Sequence, residues 1–305
     1  MALKIPSILK LSDLRCLSVK CGLPTSGTKP ILTQRLHDAI SSVPRAPKRT
    51  RVLSIDMGIR NLAYCVLDVP CKGSAAAASS PSIPSMHAWQ RLAVSTSSPG
   101  EKEAFDPATL STIAYDLVRQ RLLPQMPTHI LIERQRFRSM GSKHILEWTV
   151  RVNMLEAILY GVLGALKAEG VWEGEVVGVP PGKVGPFWLS EEPDGEAGEW
   201  RKERKGKNAK SKNKGIKIDF VRGWLENRKM VSLGNEEVEA MAKLYMEKWD
   251  RTPGGRRLKT KVDEEGQVRK LDDLADCLLQ GMAWIQWQEN KRMALKHGVE
   301  SLLVF

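Results

Sequence analysis

The chain is poor in the residues that build nitrogen and sulfur metal cages. Its five cysteines, Cys16, Cys21, Cys65, Cys71 and Cys277, are odd in number and include no CxxC pair, so neither a disulfide framework nor a zinc site is indicated. A reducing compartment is the expectation. Five histidines, His37, His87, His129, His144 and His297, are scattered without HExxH or any other ligand spacing. No uninterrupted apolar run nears the ~20 residues of a spanning helix. The longest apolar helix, near Leu155 to Leu166, is broken by polar residues and glycines, so no membrane partner is expected. Acid is also in deficit: 35 Asp and Glu against 47 Lys and Arg give a net charge of +12 and a pI near 9.5. That excess of uncompensated cations points to a polyanionic partner, nucleic acid before membrane.

What is present begins with Arg51-Val-Leu-Ser-Ile-Asp-Met-Gly58. Val52, Leu53 and Ile55 predict a buried strand that ends on one carboxylate, Asp56. Gly58 lets the chain turn back, and Leu62 to Leu67 resumes as a second strand. A carboxylate at the edge of a core needs a cation, hydrogen bonds or a metal. A turn-capping aspartate is the competing reading.

At 305 residues the chain has room for one large domain and a small appended one. Residues 1–10 are basic, apolar and free of acids, compatible with a short transit segment. Leu11, Leu14 and Leu17, with Ser12 as a cap, and then Ile31, Leu32, Leu36 and Ile40 predict two helices split by Gly22-Leu-Pro24. The positions Leu14, Leu17, Gly22, Leu23, Gly27, Lys29, Leu32, Arg35 and Leu36 resemble the SAP helix-turn-helix motif, a small DNA-binding module. Lys29 and Arg35 are then candidate DNA contacts, and a protein-docking helical pair is the alternative. The organisation read from the chain is a SAP-like module at 1–43, a basic linker at 44–51 and a main domain at 52–305. Flexible insertions are expected near 70–85 and 190–214, the second holding the basic run Arg201 to Lys214. Met86 to Val94 predicts a third strand, and Pro107 to Leu123 a helix capped by Asp106.

Ile130 to Ile132 is a second buried strand ending on an acid, Glu133, followed by Arg134, Gln135, Arg136 and Arg138. Ser142 to Glu169 predicts a long helix with an apolar stripe wide enough to pack on a second copy of the chain. Glu175 to Val179 predicts a further short strand, and 216–227 and 236–249 helices. Lys270 to Trp287 predicts a helix with Asp272, Asp273 and Asp276 near its start, where the helix dipole tolerates negative charge. Should these acids converge with Asp56 and Glu133, neighbouring charges 4 Å apart repel by about 4 kcal/mol at an effective dielectric near 20. Such a cluster needs cations, and all-oxygen ligands select Mg2+ or Mn2+.

Ser54 to Tyr64, Ile132 to Ser139 and Lys270 to Leu279, in that order, resemble the fungal mitochondrial cruciform-cutting Holliday-junction resolvases, RuvC-like members of the RNase H/integrase superfamily. The resemblance implies an α/β fold: an RNase H-like mixed five-stranded sheet flanked by helices, beside a small all-α N-terminal module. It implies that Asp56, Glu133 and Asp276, with Asp273 or Asp272, hold two Mg2+ or Mn2+ ions per site. It places Arg60, Asn61, Arg134, Gln135, Arg136 and Arg138 near DNA. The implied protein is a mitochondrial homodimer acting on a four-way DNA junction, without a small-molecule cofactor. An RNA–DNA hybrid nuclease and a non-catalytic DNA scaffold are the alternatives.

Overall fold

The computed structural model describes residues 3–45, 47, 49–70, 83–94, 105–136, 145–190, 209–249 and 271–303. Most of both expected insertions, and Arg201 to Asn208 of the basic run, lie outside them.

The strands β1 (Thr50–Asp56), β2 (Leu62–Val69), β3 (Ser85–Leu92), β4 (His129–Glu133), β5 (Glu175–Val179) and β6 (Ser232–Leu233) form one mixed sheet in the order β5-β4-β1-β2-β3-β6. The first three make an antiparallel meander, and β4 and β5 join parallel to β1. Among the described residues the sheet therefore has six strands, not the expected five. Strand β6 is two residues long, too short to carry an alternating pattern, and pairs with β3 through Ser232 N–H to Pro84 O and Gly234 N–H to Met86 O.

The helices are α1 (Leu11–Lys20), α2 (Lys29–Ser41), α3 (Pro107–Asp116), α4 (Glu147–Ala168), α5 (Pro181–Ser190), α6 (Ala209–Asn227), α7 (Glu236–Trp249) and α8 (Leu271–His297). Asp106 caps α3 as expected, its carboxylate accepting the Thr109 N–H at 3.0 Å. Ser12 does not cap α1. The helix starts at Leu11, and Asp13 reaches back to the Lys10 N–H at 2.7 Å instead. Helix α5 is not expected from the sequence, because Pro180-Pro181 reads as a stop; Pro181 occupies its first turn, where a missing N–H does no harm.

Two packing units are distinguished: Arg49–Val179 with Lys210–Leu279, and Met1–Lys48 with Pro180–Ala209 and Gln280–Phe305. Helix α8 gives its residues through Leu279 to the first unit and those from Gln280 to the second.

In the first unit one sheet face, Leu53, Ile55, Tyr64, Val66, Ile130 and Ile132, packs on Val152, Leu155, Leu159 and Leu163 of α4 and on Ala114 of α3. By length and composition α4 passes for a membrane span, with mean hydropathy 1.3, but its buried residues recur every three or four positions to build this core. The opposite face receives α8: the Trp89 indole N–H donates to Leu274 O at 3.0 Å, and the Cys65 thiol to Cys277 O at 3.4 Å. With both faces covered, the central strands read as continuous apolar runs.

In the second unit, Leu14, Leu17, Leu32, Leu36 and Ile40 share a core with Ala294, Val299 and Leu302. Lys20 Nζ donates to Leu302 O at 2.8 Å and Asn290 Nδ2 to Lys20 O at 2.7 Å. Gly22 sits at φ +67° against Trp287, where an added Cβ would come within 2.3 Å of the indole. Gly22→Ala therefore combines a left-handed backbone with overpacking. It should cost about 2–4 kcal/mol of stability in urea unfolding; a loss below about 0.5 kcal/mol would show that the helical pair does not depend on this contact.

Candidate active site

The pleat decides which side chains meet. Ser54 and Asp56 alternate with the core-facing Leu53 and Ile55, so they point to the α8 face. Glu133 has the same parity relative to Ile130 and Ile132, and parallel pairing of Ile55 with Ile132 sets it beside Asp56. Across the meander Asp56 pairs with Ala63, and Ala63 with Arg91, so one row of the sheet carries the acid and an arginine on the same face. Trp89 and Cys65, one pleat back, fix α8 over this row and bring in Asp273 and Asp276.

Burial, then Glu133, then Asp276 and Asp273 push the Asp56 carboxyl well above the usual carboxylate range, and the Asp56 and Glu133 carboxyls share a hydrogen bond. Burial also raises Asp276, reinforced by Glu133 and Asp272 and opposed by Lys217. Lys217 Nζ on α6 stands 2.6 Å from Asp276 Oδ1, and Arg91 Nε stands 3.5 Å from Asp273 Oδ2. Arg91 also donates to Asn61 Oδ1, tying the turn after β1 to the same cation. Gly58 makes that turn possible: a Cβ there would lie 2.9 Å from Asn61 O.

The segment after Glu133 is held from two sides. Arg134 N–H donates to Val179 O at 2.9 Å, and Gln135 N–H donates to Glu156 Oε2 of α4 at 2.9 Å. The Gln135 amide returns to Glu133 Oε2 at 3.3 Å. The Arg134 stem crosses Gly178, where a Cβ would approach it to 3.0 Å. Arg134 and Arg136 are exposed beside the acids, and Arg60 stacks over Trp148 at 6.0 Å. Arg138 lies outside the described residues.

The structure thus brings Asp56, Glu133, Asp273 and Asp276 together. Asp273 is among the acids acting on Asp56, whereas Asp272 acts on Asp276 and Tyr245. Lys29 and Arg35 belong to the other unit and hold main chain there: Lys29 donates to Ser7 O at 2.7 Å, and Arg35 to Pro24 O at 2.6 Å and Ser26 O at 2.9 Å. Arg91, Lys217 and Glu156 are not singled out by the sequence. Arg91 had a signal, its period-2 place on β3; Lys217 was hidden among the lysines around it.

Among the described residues no group of three or more His, Cys, Asp or Glu side chains is already gathered as an ion cage. Two of the acids stand instead against cations, Asp276 with Lys217 and Asp273 with Arg91. The donor chemistry fits a hard divalent cation: every candidate ligand is a carboxylate, and an ammonium already occupies the cation position at Asp276.

A meander followed by two parallel strands, with acids closing β1 and β4 and a later helix, defines an RNase H-like α/β fold. A family model described as "Mitochondrial resolvase Ydc2 / RNA splicing MRS1" matches residues 52–294. The chain belongs to that family. It is 31% identical over 298 residues to the mitochondrial cruciform cutting endonuclease 1 of Schizosaccharomyces pombe, covering 95% of each chain. The Saccharomyces cerevisiae protein of the same name is 26% identical over 262 residues, covering 79% of this chain and 70% of its own. The crystal structure of the yeast mitochondrial Holliday junction resolvase Ydc2 superposes with a TM-score of 0.62 at 27% identity, covering 96% of this chain and 98% of that one.

The raised Asp56 carboxyl yields a stability prediction. A group whose folded pKa exceeds its unfolded value stabilises the fold when protonated, and that contribution is lost as pH rises through the folded value. Metal-free Asp56→Asn should therefore melt above wild type by about 2–4 °C near neutral pH, with the gap closing toward about pH 4. Added divalent ion should raise the wild-type melting temperature and not the variant's. A variant that melts lower at neutral pH would remove the buried-charge argument.

Proposed function

We propose that this protein is a structure-selective DNA endonuclease that resolves four-way junctions by metal-dependent phosphodiester hydrolysis in mitochondria. The observation that carries this reading is the convergence of Asp56, Glu133, Asp273 and Asp276 on one face of an RNase H-like sheet, beside exposed arginines. Relatives named as mitochondrial cruciform cutting endonucleases, one matched nearly end to end, support the substrate and the compartment, for which the matrix is our finer assignment.

In this reading Asp56, Glu133, Asp276 and Asp273 would hold the two Mg2+ or Mn2+ ions, every donor being a carboxylate. When bound, such ions would supply an activated water and charge neutralisation for the leaving 3′ oxygen. The chain's own part is positional. Glu156 and the Val179 carbonyl hold 134–135 against the acids, so that Arg134 and Arg136 grip phosphates beside the cut. Arg60 and Asn61 extend that contact from the turn after β1. Asp273 is preferred over Asp272 as ligand, because it acts on Asp56 and is held by Arg91. The SAP-like pair and the basic run at 201–214 add sequence-independent DNA affinity.

Paired nicks on strands of like polarity require two sites, and we assign a homodimer through α4. Its N-terminal end exposes Leu146 at 66% and Val150 at 47%. The family description also covers an RNA-splicing protein, which makes an RNA–DNA hybrid the substrate to test against the junction.

With Mg2+, an immobile junction should be cut in preference to a hybrid or linear duplex. Asp56→Asn or Asp276→Asn should bind the junction yet cut it slower by on the order of 10³-fold or more. Preferential cutting of the hybrid, or wild-type rates from either variant, would contradict the assignment. A Leu146→Glu, Val150→Glu double variant should sediment as a monomer; an unchanged species would place the interface elsewhere.

A further inference from the structure

Lys217 is the side chain whose place the proposed chemistry does not yet explain. It lies on α6, its side chain is 40% exposed, and its ammonium rests 2.6 Å from Asp276 Oδ1 at the edge of the acid cluster. The pair differs from the other cation in the site. Arg91 is 9% exposed and fixed by both Asp273 and Asn61, so it belongs to the framework. Lysine is a compact charge on a flexible four-carbon stem, suited to exchanging one oxyanion for another. An ammonium at that distance takes a lone pair of Asp276 that a divalent ion would need, and like charge opposes the two together.

From this geometry we infer that Lys217 is a cation latch: it holds Asp276 while no metal is bound, is displaced by the divalent ion, and then contacts a DNA phosphate. The inference rests on the two-metal reading above. The latch keeps the acids from repelling one another in the metal-free protein, and makes one phosphate contact conditional on metal. Lys217 acts as a positioning residue, through Asp276 first and through the DNA backbone second.

The test uses the full chain and two readouts that a purely structural lysine would not move in opposite directions. Mn2+ affinity, measured calorimetrically without DNA, should tighten in Lys217→Met by about ten- to a hundredfold, the worth of one charge-assisted hydrogen bond. Lys217→Arg, whose planar fork can grip the carboxylate in two places, should bind Mn2+ no more tightly than wild type. In Ca2+, junction affinity of Lys217→Met should lose about one unit of salt slope, while without divalent ion its slope should equal that of wild type. Unchanged or weaker Mn2+ affinity in a folded Lys217→Met overturns the latch and leaves the nuclease reading standing. So does a slope that falls equally with and without Ca2+. Wild-type protein that binds no Mn2+ overturns both. Should Lys217→Met fail to fold, Lys217→Gln carries the same expectations.

Discussion

Everything in the first unit depends on holding like charges together at the edge of a hydrophobic core. Asp56 and Glu133 close two neighbouring parallel strands, and the pleat aims both at the face that α8 covers. Left alone, such carboxylates repel and lose hydration, which is why Asp56 and Asp276 hold their protons above the usual range. The surroundings answer with a fixed guanidinium and a flexible ammonium. That arrangement gives a scaffold nothing and suits a site built to receive cations.

The other interactions follow from keeping the acids in place. Trp89 and Cys65 set the rotation of α8, and Trp89 also packs against Tyr245 of α7 at 4.9 Å. Glu156, an acid on the core helix, accepts the Gln135 N–H and so fixes the segment that carries the arginines. The second unit has its own logic: the N-terminal helical pair shares its core with the C-terminal end of the chain, and Trp287 fills the space that Gly22 leaves.

Much of this was legible in the sequence because the signals are local. An apolar run ending in a lone acid occurs twice, and each marks a central strand with its carboxylate at the end, at Asp56 and at Glu133. The helix carrying Asp272, Asp273 and Asp276 was legible too, but which acid turns inward was not. That depends on how Trp89 and Arg91 seat the helix, and no spacing rule contains it. Lys29 and Arg35 show what a motif leaves out. The resemblance to the SAP motif names them as candidate DNA contacts, and the folded unit adds that they also donate to the carbonyls of Ser7, Pro24 and Ser26. Strand β6 and helix α5 were missed for want of length in one case and because of two prolines in the other.

The central claim is that these carboxylates deliver metal ions to a scissile phosphate. Its most direct test is a junction carrying a single phosphorothioate at the cut site, assayed in Mg2+ and in a softer ion such as Mn2+ or Cd2+. Sulfur is expected to slow cutting strongly in Mg2+, and the softer ion to restore it. An equal loss in every metal would mean that no ion held by Asp56, Glu133 and Asp276 touches the reacting phosphate.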